Sequence, residues 1–264
     1  MENEGLIRLA FFIGLFAVFA ALEALLPRRA RVQPRQGRWL TNWSLVVIDT
    51  AMLRLFAVVA PLLAIGAAMD AGRLGWGLFN QLALAGWLEL VLAVAILDLA
   101  IWAQHVAMHK VPALWRLHRV HHADRDMDVT TAIRFHPIEI AVSMGLKIAV
   151  VYVLGPSALA VLIFEILLNG TAMFSHSNLW LPKQLERALR WVLVTPDMHR
   201  VHHSVSRAEH DSNYGFALSV WDRLFRTYTA EPAGGHRDMT VGLRWQDDRP
   251  ARLGWALRLP FAPL

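Results

Sequence analysis

Histidines in three short runs carry the chemistry this chain can do. His105 and His109 stand four residues apart, and His118, His121 and His122 follow within the same 18-residue stretch. On a helix, positions four apart lie one turn above the other on one face, and the His-x-x-His-His spacing makes a second imidazole face. Further along, His199, His202 and His203 repeat that spacing, with Thr195 placed to cap a helix, Pro196 to open it and Asp197 at its positive end. Imidazoles buried together without a ligand would leave nitrogens short of partners, and protonating them would set like charges side by side. A metal removes both difficulties, because neutral imidazole is its commonest protein ligand. Eight imidazoles are more than one ion of about four to six ligands can use, so the count points to two metals.

The flanking residues give these runs a context. Asp98 and Trp102 precede the first, Leu114-Trp115 the second, and Thr195-Pro196 the third. Arg134-Phe135-His136-Pro137-Ile138-Glu139, Phe174-Ser175-His176-Ser177-Asn178, Asn213-Tyr214-Gly215 and Trp221-Asp222 complete the series. Over roughly residues 95 to 230 this pattern resembles the fatty acid hydroxylase/sterol desaturase superfamily of membrane-bound non-haem di-iron enzymes. Val106 and Arg226 depart from the usual residues, and neither is a proposed ligand. Imidazole by itself does not choose among zinc, copper, nickel and iron. The resemblance implies two iron ions with O2 as co-substrate. It also implies attack on an unactivated C–H bond of a lipid (sterol, fatty acyl, sphingoid or ether lipid), giving a hydroxyl or a double bond. It adds His176 to the ligands. His136 is a further metal-ligand candidate, with capping of a helix before Pro137 as its other reading.

Composition narrows the field. The chain has 264 residues, 56% of them hydrophobic, a mean hydropathy of +0.38 and no cysteine. That excludes disulfides, thiolate-ligated haem and cysteine-held iron–sulfur clusters within the chain. Electrons for any redox reaction must come from an external donor, expected to be a small haem or iron–sulfur carrier with its reductase. The isoelectric point near 10.2 raises a nucleic-acid reading. The arginines are scattered among apolar spans, however, so attraction to anionic lipid and control of topology explain them better, and no nucleic-acid partner is expected.

The elements that must position the histidines are apolar spans of membrane length. Residues 6–27, 45–69 and 82–104 are expected to cross, and 138–154 with 157–174 form a hairpin, broken by Gly155-Pro156, that crosses or partly penetrates. The expected fold is an all-α integral membrane protein of one domain, 1–264. It has about four transmembrane helices, or three plus the hairpin, and a cytoplasmic helical cap from 105–136 and 176–264 that holds the dimetal site. Arg28, Arg29, Arg31, Arg35 and Arg38 directly follow the first span. The positive-inside rule then puts the N-terminus outside and the histidines and C-terminus in the cytoplasm, the expected membrane being a bacterial inner membrane.

Two divalent ions in an imidazole shell leave about four positive charges near lipid, which neighbouring carboxylates should offset. Asp98, Glu139, Asp197 and Asp222 are candidates, and Asn178 and Asn213 are candidates to orient ligands. Trp102, Trp115 and Phe174 are expected to line the lipid channel. A membrane zinc hydrolase and a metal-binding or transport protein are the alternatives. No His-Glu-x-x-His arrangement supports the first, and histidines that follow the spans instead of lying within them count against the second.

Overall fold

The computed structural model describes residues 4–59, 63–82 and 84–263. The described residues are helical, with isolated β-bridges and no named strand. In chain order the helices are α1 Glu4–Leu25, α2 Arg35–Val59, α3 Ala64–Leu74, α4 Leu78–Gln81, α5 Gly86–Lys110, α6 Pro112–His122, α7 Pro137–Leu154, α8 Ala158–His176, α9 Lys183–Leu189 and α10 Pro196–His202. The short α11 Arg207–His210, α12 Val220–Leu224, α13 Gly235–Asp238 and α14 Leu253–Arg258 follow. The helices α1, α5, α7 and α8 are long and apolar enough to cross a membrane, and the chain is an integral membrane protein.

The span expected at 45–69 is divided. It is carried by the second half of α2 and by α3, and its middle, 60–62, lies outside the described residues.

Prolines decide how the histidine runs meet. Val111 sits in the extended region before Pro112, so α5 stops there and α6 starts afresh at an angle to it. That single-residue joint folds the second histidine run back against the first. Thr195 caps α10 as expected, its hydroxyl accepting from the Met198 N–H at 3.3 Å with Pro196 at the first helical position. The α7–α8 hairpin turns at Gly155, whose φ of 63° and lack of a side chain are both needed. An added Cβ would lie 2.4 Å from the Trp76 carbonyl oxygen.

Residues 123–136 lead from α6 to α7. Sequence patterning makes this acid-rich segment a polar connection, but Asp124 and Asp128 are buried. The Arg38 guanidinium clasps Asp124 at 2.6 and 2.8 Å and Asp128 at 2.8 Å, and Arg134 bonds Asn42 at 2.8 Å. Removing one partner of such a buried cluster strands a charge, so this clasp fixes α2 to the base of the histidine helices.

Candidate metal centre

Nine of the ten expected ligands are buried and converge. His105, His109, His118, His122 and His202 bring one nitrogen each to within 4.8 Å of one another, and His121, His176, His199 and His203 form a second such set. The sets adjoin: the His122 and His203 rings stack with centroids 4.5 Å apart. Each His-x-x-His-His run is split between them. Its first and last histidines, one helical turn apart, share a set, and the middle one crosses to the other. Thus His118 and His122 face one set while His121 joins His199 and His203. Conversely, His202 joins His105 and His109.

Hydrogen bonds settle the tautomers. The Nδ1–H groups of His105, His202 and His176 each donate at 2.7 Å, to the carbonyls of Tyr214, Ser212 and Ala172. His121 donates to the Arg134 carbonyl at 3.2 Å, and His118 to Glu139 Oε1 at 2.6 Å. With the proton on Nδ1, Nε2 carries a bare lone pair. Yet the Nε2 atoms of His105 and His118 lie 3.1 Å apart, as do those of His121 and His176. Two lone pairs at that distance have no proton to share and call for a cation between or beside them. His109–His122 and His176–His199 repeat the spacing at 3.1 and 3.0 Å. Adjacent donors on a six-coordinate ion with bonds of ~2.1 Å stand about 3.0 Å apart, and on a tetrahedral ion about 3.4 Å. At 3.0–3.1 Å one ion could reach both nitrogens of each pair, and five donors in one set exceed a tetrahedral zinc site.

Burial first, then the charges of neighbouring imidazoles, pushes His118 down to about 3 and holds His121, His122, His199, His202 and His203 well below their ordinary value. All six are neutral at pH 7, the form in which imidazole can hold a metal. Buried nitrogens of His122, His199, His202 and His203 have no hydrogen-bond partner, which a bound metal would partly supply.

His136 is not brought to the sets. It caps α7, its Nδ1 accepting from the Ile138 N–H at 3.2 Å while Nε2 reaches the Leu257 carbonyl at 3.2 Å. Pro137 fixes this arrangement by opening the helix directly behind it. Of the carboxylates and amides expected to support the ligands, only Glu139 touches a histidine of the two sets within hydrogen-bond distance. Asp222 accepts from Tyr214 N, Gly215 N and Trp102 Nε1 at 2.8–3.1 Å, and Asp98 from Leu218 N and Trp221 Nε1 at 3.1 and 2.8 Å. They hold the loop whose Tyr214 carbonyl receives His105. Asn213, at φ 52°, ties the same loop to Met198 and Thr229. Asp197 binds Arg28 and Arg200, and Asn178 binds the Arg29 backbone.

A cavity of ≈ 250 Å³ between α5, α7 and α8 reaches His105 and His118. Its apolar wall includes Ile101, Met108, Phe135, Met144 and Phe216, and none of the expected Trp102, Trp115 and Phe174. Trp102 instead stacks on Phe225 (4.4 Å between centroids), Phe174 packs on Phe19, and Trp115 lies against His109 and His122 on the side of a separate cleft. Phe135 and Phe216 were hidden because each neighbours a residue with a stronger signal.

The fatty acid hydroxylase family profile matches residues 90–227, just over half of the chain and all nine converging histidines. The chain belongs to this family. Its members are lipid hydroxylases and monooxygenases, histidine-box di-iron enzymes. The family member from Rhizobium tropici named ornithine lipid hydroxylase OlsE is 24% identical over 87% of this chain and 69% of its own length. An alkylglycerol monooxygenase of Xenopus tropicalis is 34% identical over 48% of this chain, a match spanning only 27% of that protein. A cholesterol 25-hydroxylase-like protein of Danio rerio is 26% identical over 86% of this chain and 94% of its own length. No solved structure matches.

Proposed function

We propose that this chain hydroxylates a C–H bond of a lipid, using O2 and two histidine-held iron ions. The observation that carries the reading is the pair of adjoining imidazole sets, their lone pairs converging, beside a cavity inside the bundle that is walled by apolar side chains on one part and by Arg8, Lys147 and Glu165 on another. His105, His109, His118, His122 and His202 would hold one ion and His121, His176, His199 and His203 the other. Iron bound there supplies reductive activation of O2, with overall balance C–H + O2 + 2 electrons + 2 protons giving C–OH and water.

The chain's own residues do the rest. Backbone carbonyls and Glu139 lock the ring orientations through Nδ1, and the Glu139 carboxylate offsets part of the metal charge. The apolar wall at Ile101, Met108, Phe135 and Phe216 excludes water and seats a hydrocarbon segment against His105 and His118. A cavity of ≈ 250 Å³ is below the roughly 300–1,000 Å³ of drug-sized sites, which favours an alkyl chain over a fused-ring sterol. The relatives named above are hydroxylases or monooxygenases by name, which favours a hydroxyl product over a double bond. Electrons come from an external haem or iron–sulfur carrier, since the chain has no cysteine to hold a cluster of its own. Arg28, which follows the first span, bonds Asp197 beside the histidine sets. The arginine-rich segment therefore lies at the metal end, which supports a cytoplasmic metal centre and an extracytoplasmic N-terminus.

The test is metal content with turnover. Purified protein is expected to carry about two irons per chain, and His121→Ala to abolish the hydroxylated lipid while helical circular dichroism is retained. Full turnover without metal, or without O2, would overturn the proposal.

A further inference from the structure

A cleft of ≈ 760 Å³ lies beside the metal centre and shares no residue with the substrate cavity. Arg28, Lys183, Arg187, Arg190, Arg223 and Arg237 line it against three acids, Glu186, Asp197 and Glu231. Arg28 and Arg190 are neutralised by those acids. Among the described residues, Lys183, Arg187 and Arg237 make no ion pair, and Arg223 meets no carboxylate. Its guanidinium lies 4.6 Å from the Trp191 ring and 4.1 Å from the Tyr228 ring, with its Nε buried and unpartnered. Arg223 also donates to the Arg190 carbonyl at 2.8 Å, and the third acid, Glu231, lies 2.8 Å from His236, so four cations face one concavity that holds a single further carboxylate.

The position of the cleft says what balances them. Trp180 N donates to the Leu26 carbonyl at 2.8 Å, and Arg28 N to the Asn178 carbonyl at 2.9 Å, so the segments leaving α1 and α8 are joined where both spans end. Trp180 and Trp191 are 45% and 69% exposed on the rim, with Leu185 and Val192 exposed nearby. Exposed tryptophans at the ends of spans sit at headgroup level, and basic pockets there take anionic lipid headgroups.

We propose that this cleft binds the phosphate headgroup of an anionic phospholipid, held as a structural lipid and not as substrate. None of the nine converging histidines lines it. Asp197, on the first turn of α10, forms part of its wall, so the bound lipid braces the helix that carries His199, His202 and His203. The proposal stands whether or not the oxygenase reading does.

The experiment uses metal-loaded protein in phosphatidylcholine nanodiscs titrated with phosphatidylglycerol, read by native mass spectrometry and by melting temperature. Phosphatidylglycerol is expected to be retained selectively and to raise the melting temperature. Each cation removed from a membrane surface weakens such binding about fivefold, so the triple variant K183A/R187A/R237A is expected to lose about a hundredfold. The charge-conserving K183R/R187K/R237K keeps most of it, and Arg252→Ala, an exposed arginine outside the cleft, changes nothing. Equal retention of phosphatidylglycerol and phosphatidylcholine, or an unaffected triple variant, overturns the proposal. An equal melting shift from inorganic phosphate would make this a free-phosphate site and overturn the lipid assignment. So would triple-variant loss of binding to a plant-type ferredoxin, used as an acidic protein probe, with lipid retention intact.

Discussion

Among the described residues, Glu139 is the carboxylate within hydrogen-bond distance of a histidine of the two sets, Asp211 standing farther off at 3.6 Å from His109, and Glu139→Gln isolates it. Its Oε1 accepts from His118 Nδ1 at 2.6 Å, it is 3% exposed, and its Oε2 has no partner. The substitution preserves shape and an accepting oxygen but removes the negative charge and adds an amide N–H pair with nothing to receive it. A hydrogen bond to a charged group contributes about 1.5–3 kcal/mol, and losing a carboxylate behind a metal-bound imidazole costs roughly 10- to 100-fold in affinity, or about 1.4–2.8 kcal/mol. The two routes agree. The assay is competition with a chelator, following retained iron by elemental analysis. The chelator concentration at half-release is expected to fall by 10- to 100-fold with helical circular dichroism unchanged. Because His118 belongs to the five-membered set, one ion per chain should leave first. Wild-type retention in Glu139→Gln, alongside metal loss in His121→Ala, would refute the claim that this carboxylate tunes the site. Simultaneous release of both ions would refute the assignment of His118 to one set.

Three further outcomes follow from the same geometry. His136→Ala is expected to leave metal content unchanged and to cost about 1 kcal/mol of stability as a lost cap, so metal loss in this variant would return His136 to the ligands. Asn213→Ala is expected to lower the melting temperature through its φ of 52° and its lost bonds to Met198 and Thr229, with Asn213→Gly milder because glycine tolerates that backbone. Asp124 gives an acid limit. Burial would raise its pKa, but the charge and hydrogen bonds of Arg38 outweigh burial and hold it down at about 2 against an ordinary 3.8. A depressed folded pKa stabilises above the unfolded value and is lost as pH falls through the folded one. About 2 kcal/mol should therefore disappear between roughly pH 4 and 2, and Arg38→Met should remove that step from an acid unfolding curve.

The grouping of the histidines was legible in the sequence because helices are local. Spacings of three and four residues in His118-x-x-His121-His122 state which imidazoles share a turn, and Thr195-Pro196 states where the third run begins. Four of the five expected apolar segments, those of α1, α5, α7 and α8, were equally legible, since a run of apolar residues long enough to cross a bilayer needs no tertiary information to be recognised.

Tertiary structure decided what no local rule contains. Which histidines share a set depends on how α6 and α10 face each other, so the exchange of His121 and His202 between sets is invisible in either run alone. His136 looked like a ligand by type and place, yet the proline behind it turns it into a cap. The acids at 124–128 read only as a polar connection because their partner, Arg38, lies 86 residues away from Asp124 in the chain. Ring orientation was the least readable feature. It is set largely by main-chain carbonyls of Tyr214, Ser212 and Ala172, and every residue carries the same carbonyl. A sequence can name a side chain that donates or accepts. Only the folded backbone decides where a peptide oxygen points.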